Sequence, residues 1–185
     1  MIDVNELRTG ATFTMDGALY KVLEYQHHKP GRGKAFIRTK LRDLRGGATI
    51  QHTFISGDRV EEILVERREV QYLYSDGALY HFMDTETYAQ VAMSASALQE
   101  EALYLKEGME LAISMYEKQP LEVHLPTAVD LEVVDAEMAV AGDTATGATK
   151  RATLETGHDV QVPLFVETGD VVRVDTRTGE YVTRV

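Results

Sequence analysis

The chain has 185 residues, 44% of them hydrophobic and 26% charged, with no cysteine and a formal net charge of −11. That balance belongs to a folded protein and excludes disorder; the missing thiols exclude disulfides, thiolate zinc sites, iron–sulfur clusters and a cysteine nucleophile. No apolar run nears the roughly 18 residues of a membrane span, and the opening MIDVNELRTG has neither the basic nor the apolar region of a signal peptide. A cytoplasmic protein without a membrane partner is expected, and −11 by itself argues against a general nucleic-acid binder.

Taken in chain order, Asp3 predicts a capped turn over Val4–Leu7. Ala18–Gln26 and Ala35–Leu44 predict two strands flanking HHKPGRGK, a hairpin whose tip is punctuated by Pro30, Gly31 and Gly33. Ile37 and Leu41 alternate with Arg38 and Lys40, which puts apolar side chains on one face and cations on the other. Further strands are expected at Ile50–Ile55, Glu61–Tyr74, Leu79–Met83, Glu110–Tyr116, Leu121–Leu125, Leu131–Ala139, Val160–Phe165, Val171–Asp175 and Tyr181–Val185. Between Ser96 and Gly108 a helix is expected, with Ser96 and Gln99 as a capping box and Leu98, Ala102 and Leu105 on one face.

Asp16-Gly-Ala-Leu-Tyr20 recurs as Asp76-Gly-Ala-Leu-Tyr80, with a looser echo at Thr178-Gly-Glu-Tyr181. The spacing suggests three units of about 60 residues, each near the lower limit for an independent core. The expected fold class is therefore all-β, with three small β-barrels at 1–63, 64–126 and 127–185 that support one another. Ala139–Thr149 is expected as an exposed loop of the third.

Charge is distributed unevenly over those units. Residues 1–63 carry +2, residues 64–126 carry −7 and residues 127–185 carry −6. Lys21 to Arg45 alone holds eight cations against Glu24 and Asp43, a local +6, which leaves −17 for everything else. The bland alternative is a solvated strand face. The functional one is a cationic probe: Lys29, Pro30, Gly31, Arg32, Gly33 and Lys34 form a tip in which glycines clear space around Arg32. Its planar guanidinium suits phosphate or a base edge, and the basic stem is expected to track a phosphate backbone.

Catalytic patterns are missing. Gly31-Arg-Gly-Lys-Ala35 resembles a phosphate-binding loop only superficially, because a strand follows it and no hydroxyl residue follows Lys34. The sequence holds no GxGxxG, GxSxG or HExxH pattern. His27 and His28 would point to opposite faces of a strand, and His52, His81, His124 and His158 stand singly. Glu61-Glu62 and Glu100-Glu101 are expected as solvated faces. No catalytic residue, metal or cofactor is assigned, and no enzyme is expected.

Two separated motifs carry a resemblance. KPGRGKAF with the following IRTKL resembles the first-domain loop of the bacterial elongation factor P family. Lys150-Arg-Ala152 through Gly157-His-Asp-Val160-Gln-Val-Pro163-Leu-Phe165 to Gly169 resembles that family's C-terminal signature, as does the ending GEYVTRV. The resemblance implies an SH3-like (KOW-type) domain and two OB-type domains arranged as an L-shaped tRNA mimic. It implies binding to the 70S ribosome between the P and E sites, beside the P-site peptidyl-tRNA, and promotion of peptide-bond formation at polyproline stalls. The tip around Arg32 would reach the peptidyl transferase centre. Gly142, Asp143 and Thr144 would lie near mRNA on the small-subunit side, and Tyr181 and Arg184 near the anticodon stem.

Two departures stand out. Arg32 replaces the lysine that many members modify, so it is either the substrate of an arginine-modifying glycosyltransferase, as in rhamnosylated relatives, or unmodified. Arg151 follows Lys150 where proline is common. The competing reading is an OB/KOW-type RNA-binding protein acting in transcription or ribosome assembly.

Overall fold

Short stretches of alternating buried and exposed side chains form nearly every element of the chain. The structure, a computed structural model, describes residues 1–138 and 147–185. Its strands assemble in chain order into three antiparallel sheets, and the all-β expectation holds.

The first sheet contains β1 (Ile2–Asp3), β2 (Thr12–Met15), β3 (Ala18–His28), β4 (Phe36–Asp43), β5 (Thr49–Ile55) and β6 (Arg59–Glu62), in the order β1-β6-β2-β3-β4-β5. Asp3 caps a single 3-10 turn at Val4–Glu6, accepting the Asn5 amide as the sequence predicts. The sheet curls around Val4, Leu7, Phe13, Val22, Ile37, Leu41, Phe54 and Val60. A bulge at Leu23, between paired residues Val22 and Glu24, bends the long strand β3.

The second sheet contains β7 (Glu66–Ser75), β8 (Leu79–Asp84), β9 (Gln90–Ser94), β10 (Glu110–Tyr116) and β11 (Gln119–His124), in the order β11-β10-β7-β8-β9. Val70, Tyr72, Phe82, Met93 and Ile113 lie in its core. The third contains β12 (Ala128–Ala136), β13 (Thr149–Leu154), β14 (Asp159–Pro163), β15 (Val171–Asp175) and β16 (Tyr181–Arg184), in the order β14-β13-β12-β15-β16. Its core is built mainly from valine and leucine, with Tyr104 contributed from outside the sheet.

Several expectations need correction. The run Glu61–Tyr74 is two strands in different sheets, β6 and β7; Ile63 is buried while Leu64 is exposed where the chain crosses over. The capping residue before the helix is Ser94, whose Oγ accepts the Ala97 amide at 3.3 Å, and not Ser96. That helix, α1 (Ala95–Leu98), is broken at Gln99, where φ is +53°. A 3-10 turn (Gln99–Tyr104) continues it, and Leu98, Ala102 and Leu105 still face the second core.

β1, β2, β9 and β13 lie outside the strands that the sequence predicts. Strand β13 turns Lys150, Ala152 and Leu154 inward, and a lysine at an inward position disguises the alternation. Arg151 faces outward on the same strand and pairs with Asp159 of β14. The repeated pentapeptide forms two unlike turns. Asp16 and Gly17, both at positive φ, make a two-residue connection between β2 and β3, and Leu19 is buried. Asp76 instead accepts the amides of Ala78 and Leu79, and Leu79 is exposed.

Candidate functional site

Strands β3 and β4 carry residues 29–35 between them, with His28 opposite Phe36 as the last pair. All six residues Lys29–Lys34 are exposed. Gly33 adopts φ +109°, a conformation that side chains resist, and space around Gly31 and Gly33 is open. The expected tip is thus brought together as one projecting loop with Arg32 between two glycines. On β4 the alternation is as predicted: Ile37, Thr39 and Leu41 are buried, and Arg38 points outward.

Two aromatic groups that sequence reasoning passed over support the loop's base. The His28 ring stacks on Phe36, with centroids 5.2 Å apart and planes at 17°. Arg38 lies over the same phenyl ring at 5.5 Å, a cation–π contact. His28 Nε2 is buried and has no hydrogen-bond partner. The signal available in sequence was the HH…AF spacing across the tip, which the hairpin register converts into a stack.

The eight cations of Lys21–Arg45 divide by position. Lys29, Arg32, Lys34 and Arg38 have no carboxylate partner among the described residues. The other four are engaged. Lys21 Nζ pairs with Glu122 at 2.7 Å, both half-buried. Lys40 pairs with Glu24 across the hairpin at 3.0 Å. Arg42 donates to the Ala97 carbonyl at 3.0 Å and lies 3.5 Å from Glu101. Arg45 donates to Gln119 Oε1 and the Gly17 carbonyl. The stem therefore does not track a phosphate backbone along its whole length; its root is joined to the second sheet. Glu101 also departs from the expected solvated face, while Glu61 and Glu62 are exposed as expected.

At the far end of the chain, Tyr181 packs partly into the third core. Arg184 lies over the exposed Phe165 ring at 5.2 Å, with Asp170 at 3.4 Å. Gly142, Asp143 and Thr144 lie outside the described residues. The remaining histidines sit in separate settings. His81 Nε2 contacts Asp76 Oδ2 at 2.9 Å, and with the Leu79 and Ala78 amides it draws the Asp76 carboxyl down to about 2. His124 contacts Ser114 Oγ at 2.6 Å, and burial lowers its pKa. No group of three metal-ligating side chains occurs among the described residues.

Three small curled β-sheets with one exposed, glycine-flanked basic loop define a small β-barrel protein of three units. Family models refine this class. The Elongation factor P KOW-like domain matches residues 3–60, the Elongation factor P OB domain residues 65–123, and the Elongation factor P C-terminal domain residues 129–184. Elongation factor P of Moorella thermoacetica is 52% identical over 184 residues, and that of Pelotomaculum thermopropionicum 51% over 185, each covering both chains fully. Among solved structures, eukaryotic translation initiation factor 5A from Methanococcus jannaschii shares the fold, with TM-score 0.54 and 22% identity over 66% of this chain and 90% of that one. The chain belongs to the elongation factor P family and is a translation elongation factor.

Proposed function

We propose that this chain binds the 70S ribosome between the P and E sites and promotes peptide-bond formation when consecutive prolines stall it. The observation that carries the reading is the exposed tip Lys29–Lys34, whose cations have no carboxylate partner among the described residues while the root of the same hairpin is tied down. An unpaired guanidinium between glycines suits the crowded phosphates and base edges at the end of a tRNA. Full-length identity to proteins named elongation factor P supports the same conclusion.

The units at 1–63, 64–126 and 127–185 would together occupy the space of a tRNA, as an L. Arg32 reaches toward the peptidyl transferase centre and steadies the P-site peptidyl-tRNA. Proline is a constrained nucleophile, and the ribosome supplies the reaction centre. Holding the peptidyl end in an attack-ready pose lowers the barrier by positioning, without a base from this chain. Gly142, Asp143, Thr144, Tyr181 and Arg184 face the small subunit, mRNA and anticodon side. The protein works in the cytoplasm, where translation takes place, and Arg32 is the position to inspect for a glycosyltransferase product.

The test is reconstituted translation of a reporter with consecutive prolines. Added protein should relieve the stall, and Arg32→Ala should not. Normal relief by Arg32→Ala overturns the tip assignment, and footprints confined to free transcript overturn the ribosomal one in favour of a transcription or assembly factor. Intact mass of active protein decides whether Arg32 carries a sugar.

A further inference from the structure

The root of the hairpin meets the second sheet through an unusually close contact. Gly47, in the turn between β4 and β5, adopts φ +74° and lies against the backbone of α1. A Cβ at this position would overlap the Ser96 carbonyl oxygen, which cannot move without moving the helix. The Gln99 side chain donates to the Gly47 carbonyl. Gln99 itself holds φ +53°, a region that non-glycine residues seldom occupy, so the backbone here is held in place by its surroundings. Arg42, at the end of β4, bonds the Ala97 carbonyl in the same helix and faces Glu101 in the following turn. Beside these ties, Leu19, Leu44, Ile63 and Leu121 form a small buried cluster, which draws residues from both sheets.

This joint lies at one end of a lever and Arg32 lies at the other. Strands rise about 3.3 Å per residue, so Phe36 stands roughly 20 Å from Arg42 along β4. A tilt of about 10° at the joint would swing the base of the tip by roughly 3.5 Å, whereas a misplacement of about 1 Å can cost on the order of a hundredfold in a reaction that depends on positioning. Tip chemistry alone therefore does not set where Arg32 arrives.

We infer that Arg42, Gly47 and Gln99 are positioning residues for Arg32: they seat the finger on the second sheet and fix its direction. This rests on the proposed role of the tip and adds residues at the opposite end of the hairpin to it. Their contribution is made through geometry and not through contact with RNA.

The full chain offers a direct test, because it has no cysteine of its own. Thr53→Cys and Glu86→Cys place spin labels at exposed positions, one on β5 of the first sheet and one in the turn between β8 and β9 of the second. The distance distribution between them is measured in the parent, in Gly47→Ala, which drives a methyl into the helix backbone, and in Gln99→Ala, which removes one tie without adding bulk. The distribution should broaden in both variants. Relief of the proline stall should fall about tenfold in Gly47→Ala and less in Gln99→Ala, with thermal unfolding still cooperative. Unchanged distributions in both variants overturn the inference, as does a broadened distribution with full relief. Arg32→Ala should leave the distribution as in the parent. If Arg32→Ala nevertheless relieves the stall normally, the proposed function falls, while the distances still decide whether these residues fix the finger.

Discussion

Lys21 and Lys29 belong to one hairpin and carry the same charge, yet their surroundings oppose each other. Lys21 is held 2.7 Å from Glu122 in a half-buried pair, whereas Lys29 is exposed and has no carboxylate partner among the described residues. Arg42 and Arg32 repeat the contrast on the other side. A unit-charge pair near a protein surface attracts far more strongly than one in bulk water, by about fourfold at a separation of roughly 4 Å. Partly buried cations therefore fasten one sheet to the next, and fully wet ones remain available to an external polyanion. Net charge by itself cannot distinguish the two uses.

The largest effect that could break this contrast comes from its distal half. Arg32→Ala should remove most proline-stall relief, tenfold or more, while urea unfolding stays within about 0.5 kcal/mol of the parent, as for an exposed side chain without partners. A stability loss of about 2 kcal/mol, the size expected at the root, would show that the tip is structural as well.

Next comes the proximal half. Lys21→Glu or Glu122→Lys alone should destabilise by roughly 2 kcal/mol, by placing like charges together in a half-buried site. The double swap should recover most of that loss in urea titration, and its failure to do so would mean that the pair does not fasten the sheets.

The smallest effect sharpens the same joint. His124 lies on β11, two residues from Glu122, and burial lowers its pKa below the ordinary 6.5. The unfolded chain then takes up this proton more readily than the folded one. Stability contributed by neutral His124 is present above pH 6.5 and is lost as pH falls through the lowered folded value. Glu122 opposes the shift, while Arg67 and Lys21 reinforce it. His124→Gln should flatten the melting temperature against pH as pH falls below 6.5. An unchanged slope would place the titration elsewhere.

Much of this could be read from the chain alone. Ile37, Arg38, Lys40 and Leu41 display their alternation locally, and the tip is marked by Pro30, Gly31 and Gly33. The joint could not be read. Lys21 finds Glu122 101 positions away and Arg42 finds Ala97 55 away, so no local pattern links the partners. Gly46-Gly47 is a turn-forming pair, but the close approach of the helix backbone belongs to the assembled sheets. Strand β13 is disguised because Lys150 occupies an inward position, and the DGALY echo marks a turn before a strand in two sheets without specifying the two different turn geometries.

Each sheet is built from strands contiguous in the chain, and among the described residues no strand pairing crosses from one sheet to another. That has a consequence in time. While the chain is being made, the first sheet has all its strands once residue 62 has emerged, but the partners of Arg42 and Lys21 come only with Glu101 and Glu122. Until then Lys21 and Arg42 add their charges to those of the tip, on a segment of net +2, with most of the acidic residues yet to come. Released chains ending just past residue 64 should cling to RNA in a salt-sensitive way that chains ending beyond residue 130 have lost; equal retention would rule this out. On the first outcome, completion of the second sheet would also be the moment at which the growing protein stops being indiscriminate.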